Sequence, residues 1–118
     1  MPALIQIKRA YEAPARGDGT RILVERLWPR GVTKDKLALD AWAKEVAPSS
    51  ELRKWYSHDV KKWPEFQRRY REELKADREA LAPLRAAAKR GRVTLIYAAH
   101  DAEHNSALVL RRYLLGKR

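Results

Sequence analysis

Three clusters of chemistry-bearing side chains punctuate the sequence, each just after an apolar run. Arg9 and Tyr11 follow Leu4 to Lys8; Arg26, Trp28 and Arg30 follow Ile22-Leu23-Val24; His100, Asp101, His104 and Asn105 follow Val93 to Ala98. A guanidinium presents a planar fork of donors that matches carboxylates and phosphates, and an indole presents a flat face for stacking. A histidine titrates near neutrality and can carry a proton in either direction. The chemistry these types suggest together is recognition of a phosphate- or nucleotide-like anion, with a proton transfer available beside it.

Each residue has a structural reading as well. Arg26 and Arg30 can clamp an anion bidentately; alternatively Arg26 pairs with a buried acid such as Asp40, and Arg30 closes the loop before Thr33. Trp28 can wall the pocket or simply pack. Arg9, Tyr11 and Asn105 complete the ligand-binding set. His104 is the candidate catalytic acid or base, against the reading of a histidine hydrogen-bonded to a neighbouring carboxylate or carbonyl. In His58-Asp59 the acid reads better as a helix cap than as a catalytic orienter. The sequence has no glycine-rich phosphate loop, no Gly-x-Ser-x-Gly elbow and no His-Glu-x-x-His motif. With three histidines and no cysteine, neither a metal site nor an organic cofactor is expected.

The elements that must position these clusters are strands and helices in alternation. Strands are expected over Leu4 to Lys8, Arg21 to Leu27 and Val93 to Ala98. Pairing of the second should stop near Trp28, because Pro29 has no N–H and Gly31 permits positive φ. Alternation along that strand sets Ile22, Val24, Arg26 and Trp28 on one face. The third strand is almost wholly apolar, as expected when both sheet faces are covered. Between strands two and three the spacing predicts helices: one capped by Thr33 and running through Leu37, Ala41 and Val46; one capped by Ser49 or Ser50; one from Asp59 with Pro64 in its first turn; and one around 78–90 ended by Gly91. A last helix starts near Asp101, which would put His104 and Asn105 in its first turn. Trp42, Trp55 and Trp63 recur among leucines and read as core.

The expected class is therefore α/β: a small, mainly parallel three-stranded sheet packed with several helices, with a long helical excursion between strands two and three. At 118 residues the chain reads as a single domain over 1–118. Disulfides are excluded by composition. The start, Met1-Pro2-Ala3-Leu4-Ile5, runs directly into a strand-like segment without signal-peptide character, and no apolar stretch reaches a membrane span; a cytoplasmic protein without a membrane partner is expected. Lysine and arginine total 26 against 15 acids, a net charge of +11. Such a charge draws polyanions, so a nucleic-acid-binding or regulatory module is the second function class beside the small-anion site. Arg68, Arg69, Arg71 and Lys75 would form its basic helix face, with a solvated surface as the ordinary alternative.

Four stretches resemble the YeaO-like family, part of a larger family defined only as a domain of unknown function. They are Ile5 to Glu12, Val24-Glu25-Arg26-Leu27-Trp28-Pro29-Arg30-Gly31, Ala47-Pro48-Ser49 with Leu52 to Asp59, and Leu95 to Asn105. The resemblance covers essentially the whole chain and implies a compact α/β domain whose first two strands run the same way. Glu25 stands where many relatives carry Asp. His100 stands where relatives often carry another residue, so no shared role is carried onto it. The wider family has a Cys-His-Arg motif after its last strand; here the corresponding stretch is Glu103-His104-Asn105, and thiol chemistry cannot operate.

Overall fold

A computed structural model describes residues 4–117. Its centre is β4 (Val93–Tyr97), every residue of which is buried. β1 (Ile5–Arg9) lies parallel on one side of it, with Ile5 opposite Val93 and Arg9 opposite Tyr97. β2 (Thr20–Leu23) lies parallel on the other, with Thr20 opposite Val93 and Leu23 opposite Ile96. A fourth strand, β3 (Ala41–Trp42), pairs parallel with β2, giving the order β1-β4-β2-β3. The parallel α/β class is as expected; the sheet has four strands rather than three. The reading beginning at Met1-Pro2-Ala3 falls partly outside the described residues.

The extra strand replaces part of an expected helix. Thr33 does cap α1 (Lys34–Leu37), its hydroxyl accepting from the Lys36 N–H. The helix then stops, with Ala38 left-handed at φ 48°. The chain is captured by the sheet edge: the Asp40 N–H donates to the Arg21 carbonyl, and the Arg21 N–H donates to the Asp40 carboxylate. Helical spacing through Ala41 and Val46 was thus outcompeted by open ladder positions on β2, a tertiary override of local propensity.

All the long helices pack on one sheet face. α2 (Ser50–Tyr56) is capped by Ser49, and α3 (Trp63–Ala76) follows a turn in which Asp59 accepts from the Lys61 N–H. α4 (Arg78–Arg90) and α5 (Ser106–Leu114) complete the layer. Ile5, Ile22, Val24, Val93, Leu95 and Tyr97 face it, together with Phe66, Tyr70, Leu74, Leu81, Leu84, Val109 and Leu110. The opposite face is covered by connecting segments alone. There Leu23, Ile96, Leu37 and Ala10 form a second core, flanked by Trp28, Val32, Leu39 and Trp42.

The β1–β2 connection lies on this second face and is tied down by charge. Asp18, 2% exposed, receives Lys8 Nζ at 2.9 Å and Arg21 Nη1 at 2.5 Å. Arg21 spends its other donors on the carbonyls of Leu37 and Ala38. Gly19, at φ 64°, closes the loop where a Cβ would meet the Arg92 carbonyl oxygen at 2.2 Å. That approach lets the Thr20 N–H reach the same oxygen and start β2 in register.

Candidate functional site

In open parallel sheets, ligands lie beyond the carboxyl ends of the strands where successive connections leave to opposite faces. Here β4 exits toward α5 on the helical face, whereas the segments following β1 and β2 cover the other face. Both sides of the β4 exit are therefore switch points. Arg9 occupies one and Glu25 the other: Arg9 Nε donates to the Ala99 carbonyl at 2.9 Å, and Glu25 Oε2 accepts from the Ala98 N–H at 3.0 Å.

On the Arg9 side, several expected residues do meet. The Arg9 guanidinium stands 5.0 Å over the Tyr11 ring, and one terminal nitrogen lies 3.4 Å from His100 Nδ1. Tyr11, 48% exposed, donates from its hydroxyl to the Arg30 carbonyl at 3.0 Å. Contacts thus run from His100 through Arg9 and Tyr11 to the backbone carbonyl of Arg30. Among the described residues, neither Arg9 nor Arg30 has a carboxylate within ion-pair distance. Beneath them lies Tyr97, whose phenol is pushed up from its ordinary value, chiefly by burial, with Glu12 and Asp101 adding to the shift and Arg9 opposing it.

Arg26 and Trp28 do not join this corner. The expected shared face breaks down because β2 ends at Leu23, well before Trp28. Arg26 keeps the helical face and donates Nε to the Pro48 carbonyl at 2.8 Å and a terminal nitrogen to that of Ala47 at 3.3 Å. Trp28 turns to the second core, where its indole N–H donates to the Val32 carbonyl at 2.6 Å and its ring meets Trp42 edge-on at 5.5 Å. The expected pairing of Arg26 with Asp40 does not form, since that acid serves the Arg21 backbone. Backbone carbonyls satisfy Arg26 instead.

The last helix begins later than expected. Asn105, not Asp101, is the N-cap of α5: its Oδ1 accepts from the Leu108 N–H at 2.9 Å and its amide donates to the Asp101 carbonyl. At 3% exposure, Asn105 has its side chain committed to this cap rather than turned to a ligand. Asp101 organises the preceding loop, accepting from the N–H groups of Glu103 and His104. These bonds and the His104 ring hold its carboxyl below the usual range. His104 lies outside the first helical turn. Its Nδ1 is 2.8 Å from Asp101 Oδ2, its ring stands edge-on to Trp63 at 5.3 Å, and its carbonyl accepts from the Tyr56 hydroxyl. The arrangement is a carboxylate-oriented imidazole, a geometry compatible with acid/base work but equally with locking the loop onto the helical layer.

Glu25, which stands where many relatives carry Asp, lies at the site although it is not among the expected site residues. Burial pushes its carboxyl above the ordinary value, opposed by the Ala98 N–H and by the charges of Arg53 and His58. His58 and its neighbour Ser57 are both left-handed, at φ 57° and 45°, which is uncommon for non-glycine residues and costs free energy. The available signal was an acid placed directly after an apolar strand run, where a charge entering a half-buried crevice must be accounted for.

No group of three or more metal-ligating side chains occurs among the described residues, and no helix of theirs is long and apolar enough to cross a membrane. Comparison with solved structures finds no match. The chain is 44% identical over 110 residues to the uncharacterized protein YeaO of Escherichia coli K12, covering 93% of this chain and 96% of that one. It is 42% identical over 113 residues to the uncharacterized protein Rv3073c of Mycobacterium tuberculosis H37Rv and to Mb3100c of Mycobacterium bovis, covering 96% of this chain and 95% of each. The family model described as the inactive DUF488-N3 subclade matches residues 4–117. With that match spanning every described residue, and with the strand-end and loop motifs set in a parallel α/β sheet, the chain belongs to this YeaO-like subclade of the DUF488 family.

Proposed function

We propose that this protein binds a small phosphate- or nucleotide-like anion at the corner formed by Arg9, Tyr11, Arg30 and His100, without turning it over. The observation that carries the reading is the Arg9 guanidinium, which lies beyond its strand end between Tyr11 and His100 with no carboxylate partner; Arg30, whose backbone carbonyl receives the Tyr11 hydroxyl, likewise has none. Arg9, already oriented by the Ala99 carbonyl and stacked on Tyr11, would receive the anion bidentately, and the exposed Tyr11 ring offers surface to an attached base. Binding without turnover is favoured by the subclade's description as inactive and by the absence of cysteine. His104, held by Asp101, then serves as a loop anchor beside the site.

A thermal-shift series with inorganic phosphate, nucleoside monophosphates and neutral nucleosides tests this, because selective binding to the native state raises the midpoint by mass action. Phosphate-bearing ligands should stabilise the parent chain and lose that effect in Arg9→Ala. An equal response in parent and variant would remove the corner from consideration. The net charge of +11 favours a second reading, nucleic-acid binding, but Arg68 and Arg69 are both engaged by Glu65 and Lys75 lies 3.8 Å from Glu72. That reading requires affinity for DNA or RNA that falls steeply with salt.

A further inference from the structure

The anion corner takes up one side of the β4 exit, and Glu25 stands on the other. Its carboxylate is anchored at one oxygen only. Oε2 accepts from the Ala98 N–H at 3.0 Å, while Oε1 has no hydrogen-bond partner among the described residues and remains open to solvent. Glu25 is nonetheless half-buried, and burial raises its carboxyl above the ordinary value. Arg53 and His58 stand near enough for their charges to oppose that shift. Yet no lysine, arginine or histidine lies within ion-pair distance of Glu25 among the described residues. A partly desolvated carboxylate with a free oxygen gains more from incoming N–H donors than a hydrated one does.

Arg9 and Glu25 hold neighbouring residues of one segment, Ala99 by its carbonyl and Ala98 by its N–H. β1 and β2 flank β4, so two inter-strand spacings, roughly 10 Å, separate the strand ends that carry them. That span is comparable to the reach of a nucleoside monophosphate from its phosphate to the far edge of its base. A cation on one side and an unpaired carboxylate on the other call for a ligand anionic at one end and rich in donors at the other. Among the common bases, guanine alone presents two adjacent N–H donors, at N1 and the exocyclic N2, to match the two oxygens of a carboxylate. Adenine places an acceptor beside its amino group, and that lone pair would face the Glu25 carboxylate.

We propose that Glu25 is the specificity-determining residue of the anion site and that the ligand is a guanine nucleotide, its phosphate on Arg9 and its N1–H and N2–H on Glu25. The assignment rests on the anion-binding reading above and narrows it from phosphate-bearing ligands in general to one base. Oε2 keeps its bond to Ala98 through one lone pair and offers the other, so no contact of the folded chain has to break.

Isothermal titration of the full chain with guanosine, inosine and adenosine monophosphates and with ribose 5-phosphate tests it. The guanine nucleotide should bind about tenfold more tightly than the adenine one, the scale of a hydrogen bond to a charged group. Inosine monophosphate, which lacks the N2 amine, should fall between them. Glu25→Gln keeps an acceptor for the Ala98 N–H and should bring guanine down to the adenine affinity. Its affinities for adenosine monophosphate and ribose 5-phosphate should match the parent's, which also shows that the variant is folded. Glu25→Asp, with the charge kept but drawn back by one methylene, should shrink the guanine preference, and an undiminished one would overturn the assignment. Arg9→Ala should abolish binding of all four. Adenine bound as tightly as guanine, or a guanine preference that survives Glu25→Gln, would overturn the base assignment and leave the anion corner standing. No binding by any of the four up to about 10 mM would overturn both.

Discussion

Arg9 and Arg26 leave the same end of one parallel sheet, and each donates from Nε to a backbone carbonyl at nearly the same distance, 2.9 Å to Ala99 and 2.8 Å to Pro48. Their surroundings differ. Arg26 sits on a shoulder bordered by three carboxylates and holds the Ala47-Pro48 turn in place. The Arg9 guanidinium sits between an exposed phenol and a histidine, and the nearby Glu12 carboxylate accepts from the Arg9 backbone N–H at 2.8 Å rather than pairing with the guanidinium. An arginine emerging from an apolar strand must find acceptors, but main-chain oxygens suffice. Residue type therefore does not tell how a guanidinium at a strand end is used; its partners in the folded chain have to be read one by one.

Arg21 marks the buried extreme of this contrast, and the largest effect is expected there. Asp18→Ala would leave Arg21, 5% exposed, without its counter-ion and should cost about 3–5 kcal/mol in denaturant unfolding. Burial alone would raise the Asp18 carboxyl, but Lys8, the Ala15 N–H and Arg21 outweigh it and hold it below its ordinary value. A depressed native pKa means stability that is present above the unfolded value of about 3.9 and lost as pH falls through the native one. The stability gap between parent and Asp18→Ala should accordingly narrow as pH falls from about 4 through the native value; a variant with unchanged stability at neutral pH would show the network to be dispensable.

Arg26→Ala comes next. Removing the two bonds to Ala47 and Pro48 should cost about 1–3 kcal/mol, with any phosphate-induced stabilisation kept in full. Loss of anion response with little loss of stability would reverse the contrast between shoulder and corner.

Glu25→Gln should act through pH. The Glu25 carboxyl is raised, so the native state holds its proton longer than the unfolded chain, and stability falls as pH rises from the unfolded value of about 4.3 through the native one. The amide can still accept from the Ala98 N–H but carries no charge, so the variant should gain on the parent as pH rises and converge with it in acid. Parallel stability curves would show that burial at this switch point imposes no cost. The smallest stability effect is expected for Arg9→Ala, within about 0.5 kcal/mol for a partly exposed side chain; a larger loss would make Arg9 a second Arg26.

Local signals were reliable where the local interaction also wins in the folded protein. Thr33 and Ser49 cap helices as their types suggested, and the run Val93 to Tyr97 is buried on both faces as its composition required. The same reasoning misplaced Trp28, because alternation holds only while the chain stays in a ladder and β2 leaves it after Leu23. It misplaced the start of α5 for a related reason. Asp101 and Asn105 are both good caps by type, and only the loop that folds back on Tyr56 and Trp63 selects between them.

By itself, then, the chain's order of residues determined the α/β class, the buried central strand, the helix caps and the placing of polar groups after apolar runs, since each depends on short-range sterics, hydrogen bonding and periodicity. Only the tertiary structure decided that Ala41 and Trp42 become an edge strand, that Arg26 and Trp28 part to opposite faces, and that Arg9, Tyr11, Arg30 and His100 meet. Those outcomes rest on contacts between segments far apart along the chain, whose relative energies no local pattern encodes.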